Sequence, residues 1–180
     1  MLEIRTERLR LMPLTLKQLG LYLDRPQELQ QELGFPVSRD VLTERVQRAL
    51  SLKLERMPQA DEATHVWHTY WLIVVAADAY GAGLAGFEGP PDNTGEVEIG
   101  YGMDPAYQSR GYMTEAVHAL LDWAFQNPGC KSVVARDTKK SNLASLHVLA
   151  KMGMTVYEEV GDALNLRVDR EEFWRVVGRR

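Results

Sequence analysis

Between Glu96 and Gln126 the apolar residues change period, and this change constrains the fold more than any other feature of the sequence. Residues 96–103 (EVEIGYGM) alternate, with Val97 and Ile99 on one face and Glu96 and Glu98 on the other, as in a strand buried on one side. From Met113 onward the apolar positions are Met113, Ala116, Val117, Leu120, Leu121, Ala124 and Phe125, one stripe of a helix that Asn127, Pro128 and Gly129 end. A strand and a helix joined by a short loop bury their apolar faces together when the helix lies back across a sheet, so a mixed α/β fold is expected.

The flanking sequence extends that reading. Ile4–Leu11 alternates like a strand with one wet face, and residues 15–24 and 40–56 carry helical spacing, the second through Val41, Leu42, Val46, Leu50 and Leu54. Residues 57–64 read as a polar loop, Tyr70–Ala76 as a buried strand and Leu84–Glu88 as a short one. After the long helix come a strand at Ser132–Ala135 and a helix that Ser141 is placed to cap, with Gly153 at its end. A hairpin over 154–168 and a charged tail helix from Arg170 close the chain. The predicted order is β-α-α-β-β-β-α-β-α-β-β followed by the tail helix. With 45% apolar and 26% charged residues and no linker or repeat, residues 1–180 are expected to form a single domain. The net charge of −4 gives no electrostatic case for nucleic acid. The longest apolar run, Trp71–Ala77, is too short to span a bilayer, and MLEIRTERLRL lacks the apolar core of a signal peptide, so no membrane partner is expected. A lone cysteine, Cys130, points to a reducing, cytoplasmic setting.

Two stretches compete as a phosphate-binding loop. Gly81-Ala82-Gly83-Leu84-Ala85-Gly86 has the G-x-G-x-x-G spacing of a dinucleotide site, which would make the protein a nucleotide-dependent oxidoreductase. That motif must open a helix, and here Phe87-Glu88-Gly89-Pro90-Pro91 would end the helix before it formed. A hairpin turn around Ala79, Tyr80 and Gly81 is expected instead, with Gly86 making room for a close neighbour. The loop Gln108-Ser109-Arg110-Gly111-Tyr112-Met113 does stand between a strand and a helix. Gly111 permits close backbone approach, the helix start offers free N–H groups to an anion, and Thr114 adds a hydroxyl. No Gly-Lys-Ser/Thr follows, so a Walker-type triphosphate site is absent.

With these residues the chain resembles the GNAT N-acetyltransferases, and within them the ribosomal-protein (RimJ/RimL-type) N-terminal acetyltransferase branch. The resemblance runs through TERLRL (6–11), EVEIGYGM (96–103), QSRGYMTEA (108–116) and NLASLHVLAKMGM (142–154). It implies a mixed, mostly antiparallel sheet flanked by helices, in which the strand ending at Met103 and the strand at 132–135 splay apart. It further implies that acetyl-coenzyme A is the co-substrate, without a metal. Gln108, Ser109, Arg110, Gly111, Tyr112, Met113 and Thr114 would then hold the pyrophosphate, Tyr101, Gly102 and Met103 the pantetheine, and Asn142 the pantetheine or the thiol end. Met113 departs from the Gly or Ala usual there, so its side chain must turn into the core.

Acetyl transfer to an amine needs a neutral amine, a stabilised oxyanion and, for the thiolate, a proton. In the resemblance Glu98 borders the thioester and is the expected base, with Glu96 as the alternative. The Tyr that many members use as acid is Leu149 here. Ser145, three residues after Asn142, is the candidate donor to sulfur, against the ordinary reading of a helix Ser bonded to its own backbone. Tyr101 and Tyr112 read as wall residues. Cys130 is away from every motif, and His65 and His68 are expected in a loop running into a strand, as unligated histidines. Arg110, Lys139 and Lys140 are candidates for phosphate contact or for solvated charge. The acceptor is a peptide or small-molecule amine. Glu28, Glu32, Asp40, Glu44, Glu158, Glu159 and Asp162 hint at an acidic rim around it. A coenzyme A-binding sensor without turnover is the alternative function, and a homodimer is left open.

Overall fold

A computed structural model describes residues 2–178; of the predicted unit 1–180, Met1, Arg179 and Arg180 lie outside the described residues. Its strands are β1 (Ile4–Arg5), β2 (Leu9–Pro13), β3 (Tyr70–Val75), β4 (Tyr80–Phe87), β5 (Glu96–Met103), β6 (Ser132–Lys139), β7 (Thr155–Val160) and β8 (Ala163–Asp169). The helices are α1 (Leu16–Asp24), α2 (Pro26–Leu33), α3 (Glu44–Arg56), α4 (His65–His68), α5 (Tyr112–Gln126), α6 (Leu143–Lys151) and α7 (Arg170–Val177). The strands form one sheet in the order β1-β2-β3-β4-β5-β6-β8-β7, with every pairing antiparallel except β5 with β6. The predicted mixed, mostly antiparallel class is therefore the observed one.

Each face of the sheet carries its own core. On one side Leu9, Leu11, Trp71, Ile73, Val97 and Ile99 pack with the α5 stripe of Ala116, Val117, Leu120, Leu121, Ala124 and Phe125. On the other, Tyr70, Leu72, Val74 and Leu84 pack with Leu19 and Tyr22 of α1, Leu29 of α2 and Leu50 of α3. Strand β3 feeds both cores and is buried along its whole length, which is why YWLIVV shows no alternation.

The local signals act as sequence chemistry requires. Thr15 and Gln18 form a capping box at α1, and Thr43 caps α3 through the Val46 N–H. The observed cap of α6 is Asn142 and not Ser141: its side chain accepts from the Ser145 N–H at 3.1 Å. Helix α3 begins at Glu44, later than the expected position 40, although Val41 is buried ahead of it. Helix α2 was not apparent in the periodicity, since Leu29 is its one buried side chain among the described residues; Pro26 at its start and left-handed Gly34 at its end delimit it.

The glycine-rich stretch is strand, not turn. The hairpin turn lies at residues 76–79, with Ala79 at φ 45°, and β4 runs through Gly81, Gly83 and Gly86. Close neighbours explain the composition. A Cβ at Gly86 would stand 2.5 Å from the Thr69 carbonyl oxygen, and one at Gly83 2.8 Å from the Gly102 oxygen. The stretch is a close-packed central strand and opens no helix.

Candidate active site

The site begins where two parallel strands part. β5 and β6 share the pairs Glu96–Ser132, Val97–Val133 and Glu98–Val134, and no pair beyond them. β5 stays with β4 as far as Met103, while β6 stays with β8 through a bulge between Ala135 and Thr138 where Asp137 takes φ 52°. The strands open into a V, and from Ile99 onward the β5 edge facing β6 has no strand partner. A cavity of about 510 Å³ lies on one side of the V, against the start of α5 and the face of α6. A second, of about 400 Å³, lies on the other, between the 40–49 segment, Tyr70, Glu88, Glu98 and Arg136. Tyr101, Gly102, Met103, Gln108, Asn142 and Ser145 line both. All six are residues singled out from sequence.

The first cavity is built around the start of α5. Ser109 (φ 60°) and Gly111 (φ 79°) take left-handed conformations in the loop. The first bond into the helix is from the Glu115 N–H to the Gly111 oxygen, so the N–H groups of Tyr112, Met113 and Thr114 precede the helical ladder at the positive end of the dipole. Ser109, Gly111, Tyr112, Met113 and Thr114 line this cavity. Met113 also packs against the core, as its size requires. Two predicted loop residues have internal duties. Gln108 Nε2 donates to the Met103 carbonyl at 3.0 Å, tying the loop to the end of β5. The Arg110 guanidinium lies over the Tyr107 ring at 5.3 Å, and Arg110 lines neither cavity.

Glu98 faces the second cavity. Its Oε2 accepts from Arg136 Nη1 at 2.7 Å, and that contact lifts the guanidinium further above its ordinary range. Glu96 is held away: Arg136 Nη2 donates to its Oε1, Arg167 Nη1 reaches its Oε2 at 3.2 Å, and it lines neither cavity. At the V itself the Tyr101 and Ser145 hydroxyl oxygens are 2.8 Å apart. Ser145 therefore has a partner across the groove, and not only its own helix. Burial pushes the Tyr101 phenol up to about 12, against the Ser145 hydrogen bond, so it keeps its proton through neutral pH.

Other candidates fall elsewhere. Cys130 is fully buried, and burial raises its thiol to about 11, which removes it as a nucleophile. His65 and His68 lie on the single turn of α4, not in a loop, and no group of three or more His, Cys, Asp or Glu that could hold a metal ion is found among the described residues. Lys139 pairs with Asp162 and Lys140 with Glu159. The acidic rim dissolves likewise: Glu28 pairs with Arg25 and Glu32 with Lys17, Glu158 accepts from Asn165, and of the seven acids only Asp40 lines the second cavity. Sequence reasoning missed Arg45, Glu88 and Arg136 on that side and His147 and Lys151 on the first. His147 and Lys151 are four apart and share a helix face, but neither stands at helical spacing from Asn142 or Ser145, so no spacing signal pointed to them.

With this geometry in hand, the comparisons with known proteins are specific. Residues 8–155 match the family described as the acetyltransferase (GNAT) domain. The uncharacterized N-acetyltransferase YjdG of Bacillus subtilis is 34% identical over 83 residues, 46% of this chain and 49% of YjdG; the match spans about half the length of that curated relative. Among solved structures, a GnaT-family acetyltransferase from Bordetella pertussis superposes with a TM-score of 0.63 at 23% identity, covering 94% of this chain and 99% of the other. The ribosomal-protein-S5-alanine acetyltransferase of Vibrio fischeri gives 0.62 at 17% identity, covering 96% and 99%. At such identities the likeness is one of fold.

Proposed function

Since this chain belongs to the GNAT acetyltransferase family, we propose that it is an N-acetyltransferase that moves the acetyl group of acetyl-coenzyme A to a primary amine by direct transfer in a ternary complex. The observation that carries this reading is the pair of cavities meeting at the V and sharing six wall residues, Tyr101 to Met103, Gln108, Asn142 and Ser145. One cavity suits the cofactor and the other the amine. The two reactants then meet at high effective concentration without an acyl-enzyme.

The residues fit the cofactor's chemistry. The N–H groups of Tyr112, Met113 and Thr114, which precede the helical ladder, suit the pyrophosphate, and the β5 edge at Tyr101–Met103, which has no strand partner, suits the amides of the pantetheine arm. In the reaction the amine nitrogen forms a bond to the thioester carbon while the C–S bond breaks. Glu98 takes the proton the amine loses, directly or through water. The Ser145 hydroxyl donates a hydrogen bond to the departing thiolate, which takes its proton from solvent on release, and Tyr101, hydrogen-bonded to Ser145, holds that hydroxyl across the groove. The ribosomal-protein acetyltransferase among the similar structures makes a peptide N-terminus the first acceptor to test, with polyamines and other small amines beside it. A cytoplasmic setting rests on the lone Cys130. No helix among the described residues is long and apolar enough to cross a membrane.

The test is release of free thiol from acetyl-coenzyme A over a panel of amines, with the acetylated product identified by mass. Thiol release matched by acetylated amine is the expected result. Stabilisation by acetyl-coenzyme A with no turnover on any amine would identify a sensor instead.

A further inference from the structure

The opening TERLRL has a duty beyond the β2 core. Thr6 and Leu9 close a tight turn between β1 and β2: the Thr6 N–H donates to the Leu9 carbonyl at 3.0 Å and the Leu9 N–H to Thr6 Oγ1 at 3.0 Å. Leu9 and Leu11 are buried. The turn presents Arg8 to the start of α5, more than a hundred residues later in the chain, where it meets three successive loop residues. Its Nη1 donates to the Arg110 carbonyl at 3.0 Å, its guanidinium lies over the Tyr112 ring at 4.7 Å, and a Cβ at Gly111 would come within 3.3 Å of its Nη2.

Arg8 also engages Glu115, the acid in the first turn of α5. Nε and Nη2 each lie 2.7 Å from Oε2, the Arg8 backbone N–H donates to Oε1 at 2.9 Å, and Thr6 Oγ1 donates to the same oxygen at 2.6 Å. An acid there suits the helix dipole but opposes a bound anion at the same helix end. Arg8 answers that charge while holding the loop.

We propose that Arg8 is the positioning residue of the diphosphate loop. Holding the Arg110 carbonyl and the Glu115 carboxylate at once, it fixes residues 110–112 in their binding conformation and cancels the charge that would repel a diphosphate. The inference rests on the reading of residues 108–114 as the coenzyme A pyrophosphate loop.

The test compares acetyl-coenzyme A with acetyl-pantetheine, a thioester lacking the nucleotide and diphosphate, on the full chain and on Arg8→Gln. Arg8→Gln is expected to raise KM and Kd for acetyl-coenzyme A about tenfold, the size of a helix-end charge effect at a partly exposed site with loop ordering added. The kcat at saturation and the KM for acetyl-pantetheine stay as in the unaltered chain. Adding Glu115→Gln to Arg8→Gln recovers part of the lost affinity, because the uncompensated charge is gone while the Arg110 carbonyl is still unheld. Unchanged acetyl-coenzyme A affinity in Arg8→Gln overturns the proposal. So does equal weakening of both thioesters, or a loss that tracks a lower Tm and that Glu115→Gln leaves in place. If the unaltered chain binds acetyl-coenzyme A no better than acetyl-pantetheine, the reading of the loop itself fails and this inference with it.

Discussion

Two glycines, neighbours across the β4–β5 pair, separate what holds the site from what fills it. Gly83 pairs with Met103, and Gly102 pairs with Leu84. A methyl group at Gly83 would lie 2.8 Å from the Gly102 carbonyl oxygen and 3.1 Å from the Met103 sulfur. Carbon atoms pack best at about 3.5–4.0 Å, so the new atom must push β5 away. The nearest obstacle is backbone in mid-sheet and cannot rotate aside. Overpacking of this kind costs about 1–3 kcal/mol. At about 2–4 °C per kcal/mol for a chain of this size, Gly83→Ala is expected to lower Tm by about 2–12 °C. A methyl at Gly102 meets only Val41 Cγ1 at 3.4 Å and Val46 Cγ2 at 3.7 Å, ordinary contacts made by side chains at the edge of the second cavity. Gly102→Ala should therefore leave Tm within about 2 °C, the scale of a surface substitution or a small entropic gain. It should lower kcat/KM by narrowing the wall common to both cavities. Thermal denaturation followed by circular dichroism, with kcat/KM measured on the same preparations, checks both. A Gly83→Ala protein as stable as the unaltered chain, or a Gly102→Ala protein that loses as much Tm, would refute the close-approach reasoning.

Three further outcomes are expected. Gly111→Asp abolishes acetyl-coenzyme A binding through a left-handed φ of 79° that Asp adopts with strain and a negative charge at the helix start; retained binding in a calorimetric titration would mean the loop is elsewhere. Tyr101→Phe and Ser145→Ala each lower kcat, by about 10²-fold for Ser145→Ala as the direct donor, and the deficit shrinks with thioesters of more acidic thiols; a deficit independent of the leaving group would make the pair structural. Lys53 is buried with Nζ 2.6 Å from the Phe87 carbonyl, and burial lowers its pKa against the pull of Glu88. Its unfolded form therefore binds the proton more strongly. The resulting penalty is fully present below the lowered folded pKa and is relieved as pH rises from there towards about 10.4. Urea midpoints should show the unaltered chain gaining on Lys53→Met across that window, and a constant difference would contradict the assignment.

The sequence was most legible where one face of an element is buried. β5 alternates because its second face carries Glu96 and Glu98, and α5 shows its stripe because only one side meets the sheet. The unusual backbone of the loop before α5 was legible for a related reason: it is local, and Gly111 marks it. The β4 glycines were legible in part: the close neighbour expected at Gly86 is Thr69, but the turn expected at 79–81 lies at 76–79, because a strand that needs close approach uses the same residue as a turn. Helix α2 buries one Leu, too little for a period. The site's cross-links were beyond reach of spacing altogether: Arg136 reaches Glu98 from 38 positions away, and Ser145 reaches Tyr101 from 44. The acidic residues counted around the acceptor gave a charge without its partners, and the fold supplies Arg25, Lys17, Lys139 and Lys140 to most of them.

The central claim is that both reactants meet in the V and that no residue carries the acetyl group between them. Initial velocities measured while acetyl-coenzyme A and an accepted amine are varied together test it most directly. Direct transfer predicts double-reciprocal lines that intersect, with no acetylated protein detected by mass when acetyl-coenzyme A is supplied alone. Parallel lines accompanied by an acetylated protein would contradict it, and would mean that an enzyme nucleophile takes the acetyl group first.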